Sequence, residues 1–90
     1  MAYGNKEVNI ASINTQGLKS NSEYISSLLA TNDIVFVCEH WLSNAEMIIP
    51  KNLSNRHTLY FTPAEKGPTG RPFGGNCFLI SKEFKNVKIC

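Results

Sequence analysis

Ile34-Val35-Phe36-Val37-Cys38 is an unbroken run of β-branched, aromatic and thiol side chains with no polar member. Successive residues of a strand point to opposite faces, so a strand of this composition must be covered on both sides. It therefore belongs inside a sheet that has something packed above and below it. The preceding segment supplies the first neighbour, because Val8-Asn9-Ile10-Ala11-Ser12-Ile13 has the β-branched content and partial alternation of a second strand. Between the two, Ser20 and Glu23 have the spacing of a capping box, and Ile25, Leu28 and Leu29 follow at helical spacing. The pattern predicts a helix from about Asn21 to Ala30, ending near Thr31-Asn32-Asp33. Strand, helix and strand in this order default to a right-handed parallel crossover, and the fold class is α/β.

Further along, Ser43 and Glu46 form a weaker capping box before Met47-Ile48-Ile49-Pro50. Thr58–Phe61 reads as a strand closed by Pro63, residues 64–75 as a loop rich in Gly and Pro, and Asn76–Ile80 as another buried strand. Val87-Lys88-Ile89-Cys90 begins one more, and the chain stops inside that pattern. Residues 1–90 are thus expected to be the amino-terminal portion of one domain whose carboxy-terminal half is missing.

Bulk properties exclude several function classes. A net charge of +2 does not by itself argue for nucleic-acid binding, and Lys82, Lys85 and Lys88 read as a solvated edge. Three cysteines, two of them inside apolar runs, fit free thiols in a reducing compartment and argue against a disulfide-linked partner. The first seven residues lack the apolar core of a signal peptide, and no apolar stretch approaches the roughly 18–20 residues that span a bilayer. The expectation is a soluble intracellular chain, in nucleus or cytoplasm, with no membrane partner.

Polar residues projected from the ends of neighbouring strands are how α/β sheets commonly build an active site. Asn14 and Glu39 hold such positions. A carboxylate closing an apolar strand must be solvated at the rim, paired, or bound to a cation. If bound, Glu39 would be an oxygen ligand for Mg²⁺, which accepts one or two carboxylates and completes its shell with water; Mn²⁺ accepts the same oxygens. Asn14 is by itself a turn former, or else it orients a phosphate oxygen or a metal-bound water, with Gln16 able to assist. Gly67-Pro68-Thr69-Gly70-Arg71-Pro72-Phe73-Gly74-Gly75 lacks the Gly-Lys-Ser/Thr ending of a P-loop and leads into a strand. It reads as a hairpin-type loop whose paired glycines permit tight geometry, with Arg71 a candidate phosphate or DNA contact. Cys38, His40 and His57 match no common zinc spacing. Trp41 reads as core or as a lid over the strand end.

Taken together, Ile13-Asn14-Thr15-Gln16-Gly17-Leu18, Cys38-Glu39-His40-Trp41-Leu42 and Gly70-Arg71-Pro72-Phe73-Gly74-Gly75 followed by Asn76–Ile80 resemble the start of the endonuclease/exonuclease/phosphatase family. Within it, the chain is most similar to the apurinic-type endonuclease domain of LINE-type (non-LTR) retrotransposons. The resemblance implies the first part of a two-sheet α/β sandwich with helices outside, Mg²⁺ held by Glu39, and Asn14 positioning the site. It also implies DNA as substrate and the remainder of the endonuclease domain as partner. With the second sheet missing, one face of the first should expose apolar side chains, some from Ile34–Cys38 and Cys77–Ile80. The family's later Asp-x-Asn and Ser-Asp-His motifs are absent, and the chain's single aspartate is Asp33, placed in a turn. The chain alone is therefore expected not to cleave DNA. Two other readings stand beside this one: an inositol-phosphate or sphingomyelin phosphodiesterase of the same fold, and a non-catalytic degenerate remnant or partner-binding fragment.

Overall fold

The computed structural model describes residues 7–66 and 72–84. Strand β1 (Ile10–Asn14) leads through a 3₁₀ turn at Lys19–Asn21 into helix α1 (Ser22–Thr31), and β2 (Ile34–Cys38) follows. A second 3₁₀ turn at Asn44–Met47 opens into the single-turn helix α2 (Ile48–Lys51). Then come β3 (His57–Thr62), the short strands β4 (Glu65–Lys66) and β5 (Pro72–Phe73), and β6 (Asn76–Ser81). Four strands form one sheet in the order β1-β2-β6-β3, while β4 and β5 pair as a separate antiparallel ribbon.

Strand β1 runs parallel to β2, as the strand–helix–strand reading requires, whereas β6 is antiparallel to both β2 and β3. β2 is the internal strand its composition demanded. Val35 and Val37 are wholly buried, level with Leu79 and Cys77 of β6. Over this face lie Leu18, Ile25, Leu29, Leu42 and Met47, which close the core with those four residues. Each such aliphatic side chain removed from water is worth about 1.5–3 kcal/mol.

Register assigns Ile10, Ile34, Phe36, Cys38, Phe78, Ile80 and Tyr60 to the opposite face. Ile10 and Tyr60 are exposed there, and Phe36 and Phe78 are half-buried, their rings stacked at 4.4 Å between centroids. The exposed apolar groups on that face are thus Ile10 and Tyr60, whereas the expected contributors from Ile34–Cys38 and Cys77–Ile80 are half-buried or buried, with Cys77 and Leu79 on the covered side and Ile80 buried.

Several local expectations are corrected. The Ser20–Glu23 capping box does not form, because a 3₁₀ turn precedes α1 and Asn21 occupies the cap position without a side-chain cap bond. Its amide instead reaches back to the carbonyls of Thr15 and Gly17. The weaker box, Ser43 with Glu46, is the one that closes. The loop at 64–75 contains the β4–β5 ribbon. Strand β1 is shifted to begin at Ile10 and includes Asn14. Arg71, Lys85, Lys88 and the strand expected at Val87–Cys90 lie outside the described residues. Cys38 and Cys77 are free thiols, Cys38 only half-buried. Burial, with the neighbouring Cys38 adding to it, pushes the Cys77 thiol up to about 12. Among the described residues no helix is long and apolar enough to cross a membrane.

Candidate active site at the strand ends

The strand directions bring the carboxyl ends of β1, β2 and β3 to the same edge as the start of β6. Asn14, Cys38, Asn76 and Thr62 stand level in one row across the four strands. Immediately beyond Cys38 the chain turns, and Glu39 adopts a left-handed conformation with φ 55°. That turn brings its carboxylate to the end of β1, where the Asn14 side-chain amide donates to Glu39 Oε2 at 2.5 Å. Asn14 and Glu39, separated by 25 positions in sequence, therefore form one site. Asn14 presents its donor face to Glu39, and its Oδ1 accepts the Gln16 backbone N–H at 3.3 Å. Gln16 contributes to the site through its main chain.

Thr15, a buried residue with no sequence signal to single it out, ties the two strand ends together. Its hydroxyl lies 3.1 Å from the carbonyls of both Cys38 and Glu39, and its N–H donates to Cys38 at 3.0 Å. Gly17 and Leu18 extend the tie by donating to the carbonyls of Glu39 and His40. Gln16, Glu39 and Trp41 are the non-glycine residues with positive φ among the described residues, and all three belong to these two turns. Left-handed backbone costs an L-residue roughly 1–2 kcal/mol and persists where the surroundings over-determine it, most often at functional sites.

Gly17 and Gly75 fit against the side chains that follow Glu39. Trp41 is 41% exposed, with its ring over Gly17, so it is not core. A Cβ on Gly17 would stand 3.0 Å from Trp41 Cε3. A Cβ on Gly75 would lie 2.7 Å from His40 Nε2 and 2.9 Å from Nδ1, and closer still to Cε1. Gly74 and Gly75 both have positive φ, and their carbonyls accept the N–H groups of Trp41 and His40. The paired glycines thus serve a tight turn, as the hairpin reading has it, and Gly75 makes room for an imidazole.

Both histidines are structural. In His40, Nε2 faces the Thr62 carbonyl at 2.8 Å and Nδ1 faces the Leu42 N–H at 2.9 Å. The carbonyl requires a proton on Nε2, and the amide requires a lone pair on Nδ1, so the ring is neutral and both nitrogens are engaged. Burial lowers its pKa, against the opposing pull of the carbonyl bonds. His57 lies at the far end of the sheet. Its Nδ1 takes the Ser54 hydroxyl at 2.7 Å, and its Nε2 donates to the Asn32 carbonyl at 3.0 Å.

Asp33 is also at that far end, where its carboxylate accepts the Asn9 N–H at 3.0 Å. Strand β2 separates it from Glu39, a span of about 20 Å at the rise of a strand. Glu46 is held down to about 2 by the Lys19 ammonium, with the Ser43 N–H second. Among the described residues no three His, Cys, Asp or Glu side chains cluster as a metal cage. What the site offers is one carboxylate, steered by an amide, at an exposed edge. That donor set fits Mg²⁺, which keeps most of its waters, and does not fit zinc.

No protein-family profile and no curated protein matches the sequence. Two solved structures are similar in fold. The 3′ phosphatase NExo from Neisseria bound to product DNA hairpin is 16% identical, with a TM-score of 0.63 over 82% of this chain and 27% of that one. The 3′-5′ exonuclease NExo from Neisseria meningitidis is 14% identical, with a TM-score of 0.62 over 81% of this chain and 27% of that one. At such identities the likeness is one of fold: the chain carries part of an exonuclease/phosphatase-type α/β fold. It spans about a quarter of the length of each of these proteins.

Proposed function

We propose that this chain is the amino-terminal, metal-binding portion of a Mg²⁺-dependent phosphodiesterase, specifically the DNA-nicking endonuclease of a LINE-type retrotransposon, acting inside the cell. The observation that carries the reading is the Asn14–Glu39 pair at the carboxyl ends of two adjacent parallel strands. The three sequence motifs favour the LINE type, and of the similar solved proteins one is a 3′ phosphatase bound to a product DNA hairpin and the other a 3′-5′ exonuclease. Glu39 would hold the ion, Mn²⁺ serving equally, and the ion would supply charge stabilisation to a phosphodiester oxygen and to the leaving alkoxide. Asn14 fixes the rotamer of the Glu39 carboxylate by donating to Oε2, leaving its orientation defined before any ligand arrives.

The chain by itself does not hydrolyse DNA in this reading, because no described group can activate water beside Glu39. Asp33 is a strand's length away, and the ring nitrogens of His40 are both engaged. Mn²⁺ added to the ¹⁵N-labelled protein should broaden the Asn14 side-chain amide and the Glu39 backbone amide first, and Glu39→Gln should abolish this. Broadening that is unchanged in Glu39→Gln would refute the metal assignment. Metal-dependent nicking of duplex DNA above a Glu39→Ala control would refute the claim of inactivity.

A further inference from the structure

Resting on that reading of Glu39, we propose that His40 is its positioning residue: the imidazole is a strut that fixes the left-handed turn aiming the Glu39 carboxylate at Asn14. Glu39 and Trp41, on either side of His40, have φ of 55° and 58°. Two adjacent-but-one left-handed residues without a glycine between them are unfavourable, and something must hold them. Main-chain bonds to Gly74 and Gly75 hold one side of this turn, and bonds from Gly17 and Leu18 hold the other. His40 is the side chain at its centre, wholly buried while its neighbours Glu39 and Trp41 are not.

The ring connects three parts of the molecule. Through Nδ1 it receives the Leu42 N–H, two residues on, in the manner of an Asx-turn. Through Nε2–H it reaches the Thr62 carbonyl at the end of β3. Its edge lies against Gly75, where any Cβ would displace it. With both nitrogens used, the ring has no lone pair for a metal and no proton to give, so its effect on the site must pass through the backbone it braces. The turn after β2 is thereby fastened to β3, two strands away in the sheet.

A merely stabilising histidine would change the melting of the protein without changing the geometry at Asn14. Two variants separate these roles. His40→Asn keeps an oxygen for the Leu42 N–H and loses the link to Thr62; His40→Gln supplies an amide N–H that can reach the Thr62 carbonyl. The Asn14 side-chain amide is read by NMR without metal, and Mn²⁺ broadening is read as a function of concentration. In His40→Asn the Asn14 amide should move toward its position in Glu39→Ala, where no acceptor is left for it, and Mn²⁺ affinity should fall on the order of tenfold, as for other residues that orient a metal ligand. His40→Gln should recover part of both.

An Asn14 amide at its wild-type position in folded His40→Asn would overturn the proposal, as would equal effects in both variants. If the unmodified protein shows no Mn²⁺ effect at all, the metal reading fails, while the metal-free Asn14 amide still decides the role of His40.

Discussion

Replacing Gly75 by alanine should damage this protein far more than replacing Gly74, although the two are adjacent and both have positive φ (71° at Gly74, 81° at Gly75). Alanine at either position pays the left-handed penalty of about 1–2 kcal/mol. At Gly74 that is the whole effect, since an added Cβ meets nothing within 4 Å. At Gly75 the Cβ would collide with the His40 ring, closer than 3 Å to both nitrogens. Moving the ring breaks its bonds to Leu42 and Thr62, one of them to a buried amide. Two such bonds are worth about 2 kcal/mol together, rising to about 4 if the abandoned groups stay dry.

The expected difference between the variants is therefore at least about 2 kcal/mol. At a urea dependence of about 1 kcal/mol/M for a chain this small, the unfolding midpoints should differ by about 2 M. The double variant His40→Ala/Gly75→Ala gives the cleaner result, since removing the ring removes the collision. It should be less stable than His40→Ala by only the left-handed penalty. Equal midpoints for Gly74→Ala and Gly75→Ala, or full additivity in the double variant, would refute the ring–glycine contact as the cause.

Other consequences follow from burial and charge. The Cys77 thiol is held neutral up to about 12, so below the ordinary cysteine range its contribution to stability is complete. As pH rises above about 9 the unfolded chain loses that proton and the folded one keeps it, so stability should fall, by about 1.4 kcal/mol per pH unit at most. Cys77→Ala should flatten the alkaline limb of a Tm–pH profile, and an unchanged limb would contradict this. The stacked Phe36 and Phe78 rings on the open face should show a coupling of about 0.5–1.5 kcal/mol in a double-mutant cycle. Phe36→Ser should also reduce concentration-dependent association in sedimentation, since that face carries exposed apolar groups. Glu46, held down mainly by Lys19, contributes above the ordinary carboxylate range and loses its contribution as pH falls toward 2. Its NMR titration midpoint should rise in Lys19→Met and in high salt, and indifference to both would remove Lys19 as the cause.

Periodicity and composition settled the elements whose signal is local. The apolar run Ile34–Cys38 had to be an internal strand with Glu39 just past its end, because the facing of strand residues follows from their order, although the bounds of β1 shifted to Ile10–Asn14. What sequence left open was which of several equally good local bonds would form. Ser20 and Glu23 had the better capping spacing, yet Asn21 took the cap and spent its amide on the Thr15 and Gly17 carbonyls, because the turn after β1 presented them. Glu39 had three open possibilities, namely solvent, a partner or a cation, and what the order of residues could not show is that the parallel register of β1 on β2 places Asn14 beside it. The glycine pair at 74–75 was legible as a turn, but its fit to an imidazole was not, since His40 and Gly75 are 35 positions apart and no periodicity links them. Sequence by itself determined which segments are strands and which residues stand at their ends. The tertiary structure decided which of those ends meet, because the pairing of β1, β2, β3 and β6 at one edge is set by packing across the whole sheet.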